Sequence, residues 1–335
     1  MLRRPTFPDI LRARQVVSRY LPRTPLLPSL ALSHMLGFRL YIKYENHQPI
    51  GAFKVRGGLN LLSSLGVSER ERGVITASTG NHGQSIAYAA RTFGVRSLIV
   101  MPEEANPDKV EAMANLGAEI MFHGRDFEDA RQRAEQLAHD QGLYYVHAAN
   151  EPLLIAGVGT MGLEILEDLP EVQTIIVPIG AGSGVCGTAI VAKSINPHIR
   201  IIGVQAEQAP CVYLSWKTGR MIETPSCETF AEGLATRTPF ELPLSIMHDL
   251  IDEIILVSEA ELRRAIALLL EKAHTVAEGA GAASTAGAIK LRESLRGQTV
   301  ACILSGGNLP LSVLQGILTE QGSLHATSAT GRSEG

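Results

Sequence analysis

Four cysteines stand in 335 residues (Cys186, Cys211, Cys227 and Cys302), widely spaced and without a CxxC pair. That spacing provides no disulfide framework and suits a reducing, cytoplasmic setting. The ten histidines include no HxH and no HExxH, so they offer no metal-ligand spacing. No stretch of about twenty uninterrupted apolar residues occurs, and no membrane span is expected. Neither sign of charge dominates: 30 Lys and Arg face 34 Asp and Glu, a formal net charge of −4. With one tryptophan and no interleaving of aromatic and basic residues, a nucleic-acid surface is not expected.

The arginine-rich opening, MLRRPTFPDILRARQVVSRYLPRTP, raises the question of a transit peptide. Asp9 lies three residues after Thr6, the spacing of a capping box, and Ile10, Leu11, Val17 and Leu21 supply apolar positions for a short surface helix. An acidic residue and the lack of a long apolar core argue against export. The segment reads as an opening helix.

What is there is an ordinary globular composition, 45% apolar and 19% charged, in a chain long enough for two domains or one large α/β unit. Strands and helices alternate. FRLYIKYE (38–45), GVITAS (73–78), RSLIVMP (96–102), AEIMFHG (118–124), LYYVHA (143–148), QTIIVPIG (173–180), IRIIGVQAE (199–207) and TVACILSGG (299–307) read as strands. Helices are expected after Lys54, over 82–94 closed by Gly94, from Pro107 to 117, over FEDARQRAEQLAHDQG and over CGTAIVAKSIN. Such alternation implies a parallel sheet covered on both faces. The last residues, GSLHATSATGRSEG, read as a disordered tail.

Three glycine-bearing turns follow strands, where open α/β sheets bind their ligands. In PIGAGSGVCG (178–187), Gly182, Gly184 and Gly187 satisfy GxGxxG, which admits a nicotinamide-dependent dehydrogenase. In any version of that turn, glycines let the backbone approach a phosphate and N–H groups at a helix N-terminus bind it. A ligand-free tight turn is the plainer alternative, but five small residues in succession cost backbone entropy. In ASTGNHGQ (77–84), Ser78, Thr79, Asn81 and His82 gather donors at a helix mouth, fit for a carboxylate, or simply cap the helix. LSGGNLP (304–310) offers Ser305 and Asn308 after a buried strand, as a site or as an ordinary turn.

GAFKVRGGLN (51–60) sets Lys54 between Phe53 and Val55, with glycines on both sides. A lysine needed only for solubility has no use for such neighbours. A lysine amine, a phosphate cradle and an anion-binding helix mouth together are what pyridoxal phosphate chemistry on an amino acid requires.

These four motifs, in this order and spacing, resemble those of the serine/threonine dehydratase and serine racemase group of fold type II pyridoxal-phosphate enzymes. The likeness runs from RTPLLPS near residue 23 to about residue 315. It implies an α/β fold of two open, mostly parallel sheets with helices on both faces and the active site between domains. A large cofactor-binding domain would comprise 1–71 and 149–322, and a small domain 72–148, with a tail at 323–335. A homodimer is also implied, and no regulatory domain is expected beyond the catalytic fold.

The resemblance also implies roles. Lys54 would form the Schiff base with pyridoxal 5'-phosphate and remove the Cα proton, and Phe53 would pack beside the cofactor. Asn81 would bond its phenolic oxygen, and Gly180, Ala181, Gly182, Ser183 and Gly184 would cradle its phosphate. Ser305 would face the pyridine nitrogen, with Gly233 and Glu278 near the site. Ser78, Thr79, Gly80, Asn81 and His82 would line the loop for the substrate carboxylate. A neutral serine at the ring nitrogen leaves the ring a weaker electron sink than a carboxylate there would, which favours rapid loss of a β-hydroxyl. The implied reaction is elimination of water from L-threonine or L-serine, giving a 2-oxo acid and ammonia.

Three departures bear on that implication. The phosphate turn is GAGSG where many relatives have consecutive glycines. Thr79 stands where racemases of the group place a serine acting on the opposite face of Cα and dehydratases often have alanine, so racemization remains the alternative. Gln205 and Cys211 fall where cation-binding relatives carry acids, so no metal is expected there.

Overall fold

The computed structural model describes residues 3–330, and the chain builds two sheets. Their strands are β1 (Leu26–Pro28), β2 (Arg39–Tyr44), β3 (Val74–Ala77), β4 (Ser97–Met101), β5 (Glu119–Phe122), β6 (Tyr144–Tyr145), β7 (Thr174–Pro178), β8 (Arg200–Ala206), β9 (Glu253–Val257) and β10 (Thr299–Leu304). The larger sheet runs β1-β2-β10-β7-β8-β9, parallel throughout except for β1 against β2. The smaller sheet, β5-β4-β3-β6, is wholly parallel. The continuous apolar runs explain this: every residue of β3, β4 and β10 is buried, as strands covered on both faces must be.

Covering helices are α1 (Phe7–Tyr20), α2 (Leu30–Leu36), α3 (Val55–Ser63), α4 (Val67–Arg72), α5 (Asn81–Phe93), α6 (Pro107–Asn115), α7 (Phe127–Gln141) and α8 (Pro152–Asp168). They continue as α9 (Ser183–Ile195), α10 (Cys211–Thr218), α11 (Glu241–Leu250), α12 (Glu259–Ala273), α13 (Gly279–Lys290) and α14 (Leu311–Thr330). The opening helix forms as expected, with the Asp9 carboxylate accepting from the Thr6 N–H at 2.8 Å and from its hydroxyl at 2.6 Å. Gly94 ends α5 in the left-handed region at φ 64°. Helix α14 corrects the expectation of a disordered tail from 323, because it continues to Thr330. No proline after Pro310 interrupts its backbone. Residues 331–335 lie outside the described residues.

Two features fix the frame around Lys54. A Cβ on Gly187 would lie 2.7 Å from the Cα of Gly159, so the third glycine of the GxGxxG run lets α9 pack closely on α8. Behind α3, Arg56 is fully buried and grips Glu45 through Nε (2.8 Å) and Nη2 (2.8 Å). Its Nη1 reaches Glu164 at 2.7 Å and Thr160 at 3.1 Å, and Lys43 completes the cluster on Glu164 and the Thr24 carbonyl. Two cations and two carboxylates thus lock α3 to β2 and α8.

Candidate active site

Lys54 immediately precedes α3, and three neighbouring segments hold it. Ala52 forms a bridge with Gly306, and the Phe53 N–H donates to the Ser305 carbonyl at 3.0 Å. The Ser85 hydroxyl donates to the Lys54 carbonyl at 2.6 Å. Lys54 Nζ donates to Ser183 Oγ at 3.0 Å, which brings the amine onto the glycine-rich turn. Its nitrogen is 5.3 Å from the centre of the Phe53 ring, and that ring presses on Gly184, where a Cβ would lie 3.1 Å away. Four segments far apart in sequence therefore meet around one amine.

The protein around Nζ desolvates it and pulls the Lys54 pKa down to about 8. The neutral, nucleophilic amine is then about a tenth of the population at pH 7, far more than for a lysine at its ordinary value.

Helix α9 starts beside this amine. Gly182 adopts φ 98° as its N-cap and supplies no side-chain cap. Among the described residues, the N–H groups of Ser183, Gly184 and Val185 make no backbone hydrogen bond, so the mouth is open to an anion. Gly180 has no room for a side chain, since a Cβ would lie 2.1 Å from the Gly233 carbonyl oxygen. That contact places Gly233 against the start of the turn. Ala181 is half-buried between Gly180 and Gly182.

The mouth of α5 is arranged in more detail than the sequence reveals. Ser78 Oγ accepts from the N–H of Gly80 (3.2 Å) and Gly83 (2.9 Å), so this hydroxyl shapes the helix start. The N–H groups of Thr79, Asn81 and His82 make no backbone bond among the described residues, and the Thr79 hydroxyl has no protein partner there either. The ring of His82 turns inward. Thr76 Oγ1 gives its proton to the Val146 carbonyl at 2.8 Å, so His82 Nε2 at 3.0 Å must be the donor to Thr76. Burial, then the charges of Lys54 and His147, push its pKa down to about 3. His82 is a neutral imidazole at any working pH.

Asn81 sits at the centre of an amide relay. Asn308 Nδ2 donates to Asn81 Oδ1 (2.7 Å), and Asn81 Nδ2 donates to Glu278 Oε1 (2.7 Å), which fixes the amide's orientation. One N–H of Asn81 is left over for a ligand. The Glu278 N–H bonds the Gly306 carbonyl at 3.1 Å, and a Cβ on Gly306 would meet Glu278 Oε1 at 2.5 Å. Burial raises the Glu278 carboxyl to about 7, opposed by the Asn81 bond, the Lys109 charge and an Asn308 backbone bond. Ser305 is buried at 5% exposure, and its hydroxyl has no protein hydrogen-bond partner among the described residues.

The raised Glu278 pKa carries a stability prediction. Between about pH 4.5 and 7 the unfolded chain has released this proton while the folded chain keeps it, so stability falls as pH rises through that window. Glu278→Gln is expected to flatten the decline in melting temperature from pH 5 to 8. An unchanged slope would exclude Glu278 as its source.

The sequence offers Asn308 as a site or as an ordinary turn, and the structure sets its amide on Asn81; Lys109, behind the site, is visible in the sequence only as one lysine near the start of a helix. Gln205 and Cys211 each bond the protein, although Gln205 Nε2 is buried without a hydrogen-bond partner among the described residues. Gln205 Oε1 accepts from the Tyr213 N–H (2.9 Å), and Cys211 Sγ donates to the Thr236 carbonyl (2.9 Å).

These residues fit pyridoxal phosphate. The open mouth of α9 and the side-chain-free turn suit its phosphate, and the desolvated Lys54 amine beside them suits its aldehyde. The spare N–H of Asn81 and the unpartnered Ser305 hydroxyl suit its ring heteroatoms.

Comparison with known proteins agrees. Residues 17–306 match the family described as pyridoxal-phosphate dependent enzyme. The chain is 39% identical over 315 residues to an L-threonine ammonia-lyase of Thermotoga maritima, covering 94% of this chain and 78% of that protein. It is 42% identical over 305 residues to an L-threonine ammonia-lyase of Geobacter sulfurreducens, covering 91% and 75%. A solved maize serine racemase superimposes with a TM-score of 0.90 at 32% identity, covering 97% of this chain and all of the other. On sequence, architecture and the geometry around Lys54 alike, the chain belongs to the pyridoxal-phosphate dependent enzymes.

Proposed function

We propose that this protein removes water from L-threonine, and from L-serine as a second substrate, to give 2-oxobutanoate or pyruvate and ammonia. The observation that carries the reading is Lys54 Nζ at 3.0 Å from Ser183 Oγ, at the open mouth of α9, with the mouth of α5 across from it. The threonine ammonia-lyase relatives support threonine in particular. When bound, pyridoxal phosphate supplies the electron sink that makes the Cα proton acidic. Lys54 would be its attachment point and the base for that proton. The N–H groups of Thr79, Asn81 and His82 hold the substrate carboxylate, with Ser78 and Gly80 shaping the loop. Gly180, Ala181, Gly182, Ser183 and Gly184 hold the phosphate and Gly233 backs them. Asn81, held by Glu278, would donate to the phenolic oxygen, Phe53 would pack beside the cofactor, and the neutral Ser305 hydroxyl would serve the ring nitrogen without fixing a proton on it.

The small unit is taken as 72–148 and the large as 1–71 with 149–322, and the cleft between the two sheets holds the reaction. A homodimer is proposed, supported by the outward apolar side chains of Leu27 (50% exposed), Leu30 (79%) and Met35 (42%). A cytoplasmic setting is supported by the four free cysteines. The described residues include no helix long and apolar enough to cross a membrane.

The test is to add L-threonine to the cofactor-loaded protein and follow 2-oxobutanoate. Keto acid formation supports the proposal. A visible cofactor band without keto acid, together with D-serine made from L-serine, would favour racemization. That second reading rests on the unpartnered Thr79 hydroxyl at the α5 mouth and on the likeness to the maize serine racemase.

A further inference from the structure

Lys109 occupies a place that local physics disfavours. It lies in the first turn of α6, where the helix dipole repels a cation, yet its side chain is only 14% exposed. Partners outside α6 must therefore hold it. It forms an ion pair with Glu232, which lies in the short 3-10 turn Glu232–Leu234. It also lies close enough to Glu278 for its charge to favour the ionised carboxylate.

Each end of this contact leads to the site. Helix α6 backs the first turn of α5, where a Cβ on Gly83 would lie 2.5 Å from Met113 Sδ. Glu232 precedes Gly233, whose carbonyl closes on Gly180. Glu278 holds Asn81, the first residue of α5. The ammonium thus joins the element behind the α5 mouth to the Glu232 carboxylate beside the glycine-rich turn, with Glu278, which holds Asn81, near enough to feel its charge.

We infer that Lys109 is a positioning residue, whose ion pair with Glu232 holds the α5 mouth closed over the glycine-rich turn and so sets the affinity for the substrate carboxylate. The clause about substrate rests on the function proposed above; the clause about closure does not. Glu232 is half exposed, so the pair is screened and its effect is modest.

Hydrogen exchange on the cofactor-loaded protein tests closure without any turnover. In Lys109→Met, the hydrogen-bonded amides of Gly83 and Gln84 and of Glu232, Leu234 and Ala235 are expected to exchange about fivefold faster, the amides of β2 and β10 to stay unchanged, and Lys109→Arg to restore protection. In the same variant, KM for L-threonine is expected to rise about fivefold with kcat nearly unchanged, and Glu232→Gln to reproduce most of that rise without adding to it. Unchanged exchange in either segment overturns the closure role. Faster exchange in β2 and β10 as well would make Lys109 a general stability residue and overturn it too. If the wild-type protein does not turn over threonine, the function proposal fails while the exchange result still decides this one.

Discussion

Lys54→Ala, supplied with pyridoxal phosphate, is expected to form 2-oxobutanoate from L-threonine about a thousandfold more slowly or worse, because attachment point and base are lost together. No neighbouring group can substitute. His82 is neutral with its ring proton committed to Thr76, and its pKa of about 3 leaves it a poor base. Lys43 is enclosed behind the site on Glu164 and Thr24. Folding should be little affected, since the Lys54 side chain gives up one hydrogen bond to Ser183 and a desolvated position for its charge. A melting temperature near that of the wild type, with turnover lost, separates chemistry from stability. Residual activity within about tenfold of wild type would remove Lys54 from the reaction, since general-base catalysis alone is worth more than that.

The second large effect lies behind the site. Glu45→Ala should destabilise the protein by about 3–5 kcal/mol, because it removes one of the two bidentate partners of the fully buried Arg56 and leaves two buried cations on the single carboxylate of Glu164. The charge reaches Glu164 as well, but Lys43 already draws on that carboxylate. Denaturant titration of the single variant measures the loss. The double variant Glu45→Leu with Arg56→Met removes both buried charges and leaves Lys43 paired with Glu164. It should recover most of the stability, since apolar replacement of a whole buried pair is often neutral. If the double variant is as unstable as the single, packing of the arginine stem outweighs its charge. Because Arg56 is two residues from Lys54, the single variant should also weaken retention of the cofactor.

The site became legible in the sequence wherever its residues lie next to one another. Lys54 with its glycines, the α9 turn and the α5 mouth are each one continuous stretch, because backbone N–H groups at a helix start come from consecutive residues. Most parallel strands were equally plain, since burial on both faces writes itself as an unbroken apolar run, whereas the edge strand β9, buried only at Ile254 and Val257, went unread. The capping box at Thr6 and the left-handed stop at Gly94 are local chemistry for the same reason.

Long-range partnerships were not legible. Helix α8 is buried nearly all round and carries Gly157, Gly159 and Gly162, each packed on another segment. Without the partners, its apolar run and glycines contain no period to read. Gly187 fits a dinucleotide fingerprint in sequence and serves helix packing in three dimensions. Ser78 and His82 look like ligand donors in a row, yet the fold commits one to capping and turns the other onto Thr76. Asn308, Lys109 and the Arg56–Glu45 pair acquire meaning only across gaps of many residues. By itself the sequence determined the parallel α/β frame and marked the two glycine-bearing helix mouths and Lys54 as candidates, all of which depend on neighbouring residues and on local backbone geometry. Only the tertiary structure decided which polar side chain faces which, because the energy of a buried charge or amide is settled by the partner that folding brings to it.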